Sequence, residues 1–280
     1  MDYAEEAHRS CIAASVAWSA IAAPIASADA VELNSTYAAN KTYGAGPADS
    51  VKFIDRTATS NLIIIAPHAV KHWRGGAPKV ADIYTGGIGE EVANRLGASF
   101  LAPTGPITDW SENWGTRNDE FKRILDGLPK EVTGISLHGM KATPTEAQLG
   151  TGSKAYPTEN RYITGLFKEF PNMEVNQQFS GSAAYTDTNY MHLLGHPAMQ
   201  LELSATLRTR QTAQATADRL VRALSDPEEA TQPGGSAETK PDEKPAVDDP
   251  TLPPEEQNPP LPEVPPAPAP SRMGGSLGSL

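Results

Sequence analysis

Three short segments of this sequence join an apolar run to a group that can bind a metal or move a proton. Ile63-Ile64-Ile65-Ala66-Pro67 leads to His68, and Asp82 follows on the same loop. Ile135-Ser136-Leu137 leads to His138 and Gly139. Met199-Gln200-Leu201 leads to Glu202 and Leu203, with Arg208 close behind. Two histidines, one carboxylate and an open position make a catalytic zinc site, and a further glutamate can take a proton from its water. These residue types suit metal-dependent hydrolysis of an amide.

Each residue also has a plainer reading. His68 and His138 could be ordinary hydrogen-bonded rim histidines. It is their repetition at two strand ends that favours a shared ion. Asp82 opens the next helix and can fold back toward His68, or it serves as a first-turn carboxylate favoured by the helix dipole. Glu90 and Glu91 lie deeper in that helix and read as solvated. His72 stands four residues from His68, but that spacing needs a helix, and Gly75-Gly76-Ala77-Pro78 makes the stretch a loop. Glu202 interrupts an apolar strand. It is either a buried carboxylate beside a cation, hence a general base, or a solvent-facing position on an edge strand. Arg208, Arg117 with its neighbour Asn118, and Arg74 offer donors for a substrate carboxylate. Gly150-Thr151-Gly152-Ser153 lacks the lysine of a phosphate-binding loop and carries no nucleotide role.

The elements that must position these groups alternate. Strands are expected at 51–54, 62–66, 99–102, 132–137 and 199–203, with an edge strand at 174–179. Helices are expected at 83–96, 118–128 with Asn118 as N-cap, 159–170 and 209–224. Residues 71–79 read as a polar loop. This order implies an α/β fold: three αβα layers around a mostly parallel or mixed sheet. Ligands of such sheets gather beyond the carboxyl ends of the strands. His68 and His138 both fall there, which places two distant histidines on one rim.

The 280 residues divide by composition into 1–30, 31–225 and 226–280. The net charge of -11 is uneven: the last 55 residues carry 11 acidic and 3 basic side chains, and 14 of the 25 prolines. That tail is expected to be disordered, acting as an envelope spacer, a ligand for a proline-binding module or a passive solubilising segment. The body is close to neutral, without the basic stripe that nucleic acid requires. The single cysteine, Cys11, excludes an internal disulfide. Residues 12–26 are mostly small and apolar. With Ala26-Ser27-Ala28 and Ala28-Asp29-Ala30 as small-x-small sites they read as a secretory signal peptide, too short for a stable membrane span. Asp2, Glu5 and Glu6 are atypical of such a leader, and a buried N-terminal helix in a cytoplasmic protein is the alternative.

Pro67-His68, Lys79-Val80-Ala81-Asp82-Ile83-Tyr84-Thr85, Leu137-His138-Gly139, and Gln200-Leu201-Glu202 followed by Arg208 together resemble the N-formylglutamate amidohydrolase family. The resemblance spans roughly residues 61–224. It implies a phosphorylase/hydrolase-like fold, one zinc ion, and hydrolysis of an amide in an acidic or peptide-like substrate. By motif position it makes His68 and His138 ligands, Glu202 the acid/base and Asp82 the remaining ligand. Related zinc exopeptidases commonly place a glutamate close behind the first histidine, and this chain has none there. An exported member would act on a peptide, cell-wall or poly-γ-glutamate substrate. The rival readings are an inactive binding protein on the same fold and an envelope interaction protein working through its tail.

Overall fold

The computed structural model describes residues 28–37, 43–74, 76–108, 114–153 and 159–225. The expected leader core and the expected disordered tail lie outside them. In chain order the elements are α1 (Ala30–Leu33), β1 (Val51–Ile54), β2 (Leu62–Ile65), β3 (His72–Arg74), β4 (Ala77–Lys79), α2 (Thr85–Leu96), β5 (Ser99–Pro103), β6 (Ile107–Thr108), α3 (Glu120–Asp126), β7 (Thr133–Met140), β8 (Ala147–Gly150), α4 (Glu159–Glu169), β9 (Glu174–Val175), α5 (Asp187–Leu194), β10 (Ala198–Ser204) and α6 (Ala213–Ser225).

Ile63, Ile64 and Ile65 are fully buried, as a β-branched run becomes when both faces of its strand are covered. The seven-stranded sheet has the order β1-β5-β2-β7-β10-β8-β9. β5, β2, β7 and β10 run parallel. β1 and β8 pair antiparallel with β5 and β10, and β9 runs parallel to β8. The sheet is therefore mixed, with a parallel centre. The chain leaves β2 toward β5 on one side and returns as β7 on the other. Such a switch opens a crevice at the carboxyl ends of β2 and β7.

Helices cover both faces. A Cβ on Gly89 of α2 would lie 3.0–3.4 Å from Phe100, Ile64 and Leu137, so α2 packs on the face that carries those residues. α1, α4 and α6 join it there through mutual packing with α2 or α6. On the opposite face Gly134 lets the Met191 sulfur of α5 approach, 2.4 Å from where a Cβ would stand. No helix among the described residues is long and apolar enough to cross a membrane.

Several expectations need correction. The stretch expected as a loop contains two paired strands, β3 with β4, joined by β6 into a small second sheet. Gly76, at φ +76°, allows its tight turn. α2 begins at Thr85, after Tyr84 in the left-handed region. Asp82 is thus a loop residue ahead of the helix. Asp119, not Asn118, caps α3, accepting from the Lys122 N–H. β8 and α5 were not expected at all. Glu90 and Glu91 are only 3% exposed. Glu90 accepts from Tyr37 and pairs with Lys52 at 2.5 Å, so partners distant in sequence neutralise it.

Candidate metal centre

His68 stands three residues past β2. Its carbonyl accepts the Asp82 N–H at 2.9 Å, which closes the intervening hairpin onto the strand end. Asp82 Oδ2 in turn accepts the Gly139 N–H at 3.0 Å, at the end of β7. The loop carboxylate is therefore tied to both strand ends that carry the histidines. His68 Nδ1 lies 3.2 Å from His138 Nδ1 and 3.4 Å from Asp82 Oδ2, and His138 Nδ1 lies 4.0 Å from that oxygen. Ligands held at about 2.1 Å around a tetrahedral zinc stand about 3.4 Å apart, and this N₂O set fits that spacing. Among the described residues it is the group of metal-ligating side chains whose atoms all fall within 4.8 Å of one another.

Glu202 is the in-register neighbour of His138 on the adjacent parallel strand, so both side chains stand on the same face. β10 lies between β7 and β8, and all seven of its positions are buried. The edge-strand reading of Glu202 therefore fails: this carboxylate is 7% exposed in the sheet interior. Burial pushes its pKa up, and the Asp82 charge adds to that against the pull of His138, His68 and Arg208. Burial also opposes the charge on Asp82, but the hydrogen bond and charge of His68, with His138 and Arg208, hold its carboxyl below the usual range. Two carboxylates beside one another are thus driven apart, one toward ligand and one toward proton carrier.

Behind His138 are two residues that the sequence reading missed. Its Nε2 lies 3.0 Å from Ser136 Oγ and 3.5 Å from Asp187 Oδ1, and Ser136 Oγ donates to Asp187 Oδ2 at 2.5 Å. Ser136 could have been found, since it lies two positions before His138 on the same strand face. Asp187 had no signal, because its helix was not recognised. Burial alone would lower the His138 pKa. Asp187 and Glu202 reverse this and raise it.

The centre opens into a cleft of about 460 Å³. One wall carries His68, Arg74, Lys79, Asp82, His138 and Glu202. The other is the segment from Gln178 to Ala183, with Tyr185 and Thr186. His72, in a stretch whose sequence reads as a loop, is buried here and stacks on His68 with ring centroids 4.4 Å apart. Arg74 Nη2 donates to His68 Nε2 at 3.2 Å. A guanidinium only donates, so in this arrangement His68 carries its proton on Nδ1.

The other residues expected to bind substrate are placed as follows. Arg208 gives Nε, Nη1 and Nη2 to the carbonyls of Leu203, Ile83 and Met140, packed directly behind Gly139. It clamps the strand ends and the Asp82 loop, and it does not line the cleft. Arg117 pairs with Asp119 at 2.5 Å beside α3, and the exposed Asn118 stays with it outside the cleft. Arg74 is the one expected substrate-binding residue that lines the cleft. A second cavity, of about 360 Å³, lies at the amino ends of the strands around Leu62, Arg95 and Leu224.

No family model matches this chain, and no curated protein matches it. Solved structures do. A bacteriophage poly-gamma-glutamate hydrolase aligns at 16% identity and a TM-score of 0.42, over 70% of this chain and 96% of that one. The metallo-carboxypeptidase from Burkholderia cenocepacia aligns at 12% identity and 0.38, over 62% and 59%. The N-formylglutamate amidohydrolase from Ralstonia eutropha aligns at 15% identity and 0.42, over 59% and 92%. The solved structures this chain is similar to thus include the family that its four motifs resemble.

Proposed function

We propose that the chain is a single-zinc amide hydrolase acting on a peptide-like substrate that bears a carboxylate. The observation that carries this reading is the convergence of His68, Asp82 and His138 beside the buried carboxylate of Glu202 at one end of one cleft. Zinc held by the first three would supply a Lewis acid that acidifies water and polarises a carbonyl. Glu202, whose proton affinity is raised by burial, would take the proton of the attacking water and deliver it to the leaving nitrogen. Arg74 and Lys79 on the hairpin present positive charge to a substrate carboxylate at the cleft wall. His68 must release its Nδ1 proton to ligate, and its ring then carries a proton on Nε2. Arg74 cannot donate to that atom any longer.

Export is part of the same proposal, supported by the apolar leader. It makes residues 226–280 a tail at the cell envelope and the substrate an extracellular peptide, wall or poly-γ-glutamate amide. N-terminal sequencing of native protein tests this, and an intact Met1 would refute it.

The test of the activity combines metal analysis with assays on N-acyl-glutamates and γ-glutamyl peptides. The wild-type chain should retain zinc. Glu202→Gln should keep both zinc and fold while slowing turnover by roughly 10²–10⁴-fold. Asp82→Asn should lose metal first, since a neutral amide oxygen is a poorer zinc ligand. If Glu202→Gln loses zinc while Asp82→Asn keeps it, the two roles are exchanged. A wild-type chain without zinc and without turnover would favour the binding-protein reading.

A further inference from the structure

Ser136, His138 and Asp187 have the residue types of a nucleophilic triad but not its order. In that triad the serine and the carboxylate occupy opposite nitrogens of the imidazole. Here both face Nε2, and Nδ1 points away from them at His68. Ser136 is also buried, on the far side of the ring from the cleft. It is not placed to attack a substrate.

The hydrogen bonds instead have a fixed direction. Asp187 Oδ1 accepts the N–H of Thr188 at 3.0 Å, and Oδ2 accepts from Ser136 Oγ. Asp187 is 1% exposed, in the first turn of α5, where the helix dipole favours its negative charge. As a carboxylate it can only accept, so the Ser136 hydroxyl proton is committed to it. The Ser136 oxygen is then left as an acceptor toward His138, and the ring must place its proton on Nε2. With Nε2 protonated, Nδ1 carries the lone pair, and Nδ1 is the atom that converges with His68 and Asp82.

We propose that Asp187, acting through Ser136, is a positioning residue that holds His138 in its Nε2–H tautomer and so aims the Nδ1 lone pair at the metal position. This rests on the metal reading above, and it assigns work to two residues outside that reading. A ligand histidine whose far N–H is anchored to a carboxylate is oriented and made more basic. Here the anchor reaches the ring mainly through a hydroxyl, which gives the chain a polarity that a single substitution can reverse. In Asp187→Asn, the amide oxygen stays on the Thr188 N–H and the NH₂ group takes the place of Oδ2. That NH₂ donates to Ser136, the hydroxyl turns to donate to Nε2, and the His138 proton moves to Nδ1.

The experiment has two readouts on the full chain. Long-range ¹⁵N–¹H NMR of the zinc-free protein, at mildly alkaline pH, assigns the His138 tautomer. Competition with a chelator gives the zinc Kd. The wild-type ring should be the Nε2–H form. Asp187→Asn should convert it to Nδ1–H and weaken zinc binding by about 10- to 100-fold. Ser136→Ala should weaken zinc less, because Asp187 Oδ1 can close on Nε2 directly from 3.5 Å. A merely structural role for Asp187 would change stability but leave the tautomer alone. An Nδ1–H ring in the wild-type chain overturns the proposal even if the variants fail to fold. So does an Asp187→Asn protein with unchanged tautomer and Kd. A wild-type chain that takes up no zinc removes the metal reading, and this proposal's consequence with it. A normal wild-type Kd beside an insensitive Asp187→Asn removes the proposal alone.

Discussion

Strands β7 and β10 present their two sides to very different surroundings. Ile135, Leu137, Leu201 and Leu203 point to the side covered by α2, where Leu137 lies within reach of Gly89. Ser136, His138, Gln200 and Glu202 point the other way. There α5 covers the amino-terminal part, and residues 178–183 with Tyr185 and Thr186 line the cleft. The same two strands therefore carry an apolar face that holds the molecule together and a polar face that holds the site. Alternation with period two keeps the two tasks one residue apart.

Neighbouring substitutions on β7 should then fail in different ways. His138→Ala should lose most of its bound zinc and its turnover while staying folded, because three protein ligands leave little redundancy. Leu137→Ala should keep its metal affinity when folded but lose about 2–5 kcal/mol of stability, the usual cost of truncating a buried leucine. Metal analysis beside thermal or denaturant unfolding separates the two. If Leu137→Ala lost zinc at full stability, the two faces would not be independent.

A smaller effect probes the apolar side. Asp29 Oδ1 caps α1, accepting the N–H groups of Val31 and Glu32 at 2.8 Å, and the buried Ala30 donates its N–H to Gln214 Oε1 on α6. A chain beginning at Asp29 should match the stability of a longer one. A chain beginning at Val31 should lose at least about 1 kcal/mol with its cap. Equal melting temperatures would mean that α1 adds nothing to this layer. Of the two small-x-small sites, cleavage after Ala28 would keep this cap and cleavage after Ala30 would remove it.

The smallest effect lies on the chemistry side, where α3 meets α5. Burial works against the Asp126 charge, but hydrogen bonds from Lys122 at 2.6 Å and Tyr190 at 2.5 Å hold its pKa below the usual value. A depressed folded-state pKa gives stability that is present above the unfolded value of about 4 and lost as pH falls through the folded one. Asp126→Asn should flatten that acid limb by no more than about 1 kcal/mol, since water screens the pair. An unchanged acid limb would show that the contact adds nothing between the helices.

What the sequence made legible follows the same division. β2, β7 and β10 stood out because continuous apolar runs mark buried strands, and His68, His138 and Glu202 stood out as polar groups in or after them. α5 did not, because Asp187 through His192 are all buried. A helix covered on every side shows no apolar stripe, and here the buried residues are largely polar. Asp187 was lost with it. Glu90 and Glu91 were misread for a related reason: the partners that neutralise Glu90, Tyr37 and Lys52, lie far away in sequence. Arg208 looked like a substrate ligand because its donors were visible, but the three carbonyls that occupy them come from separate segments.

One zinc is proposed to join two strand ends and a loop on the polar face. Anomalous scattering at the zinc edge, on crystals of the chain grown with zinc, tests it most directly. A single peak is expected about 2.0–2.2 Å from His68 Nδ1, His138 Nδ1 and an oxygen of Asp82, with Glu202 nearby but not a ligand. No peak there, or a peak bound by Glu202 without Asp82, would contradict it.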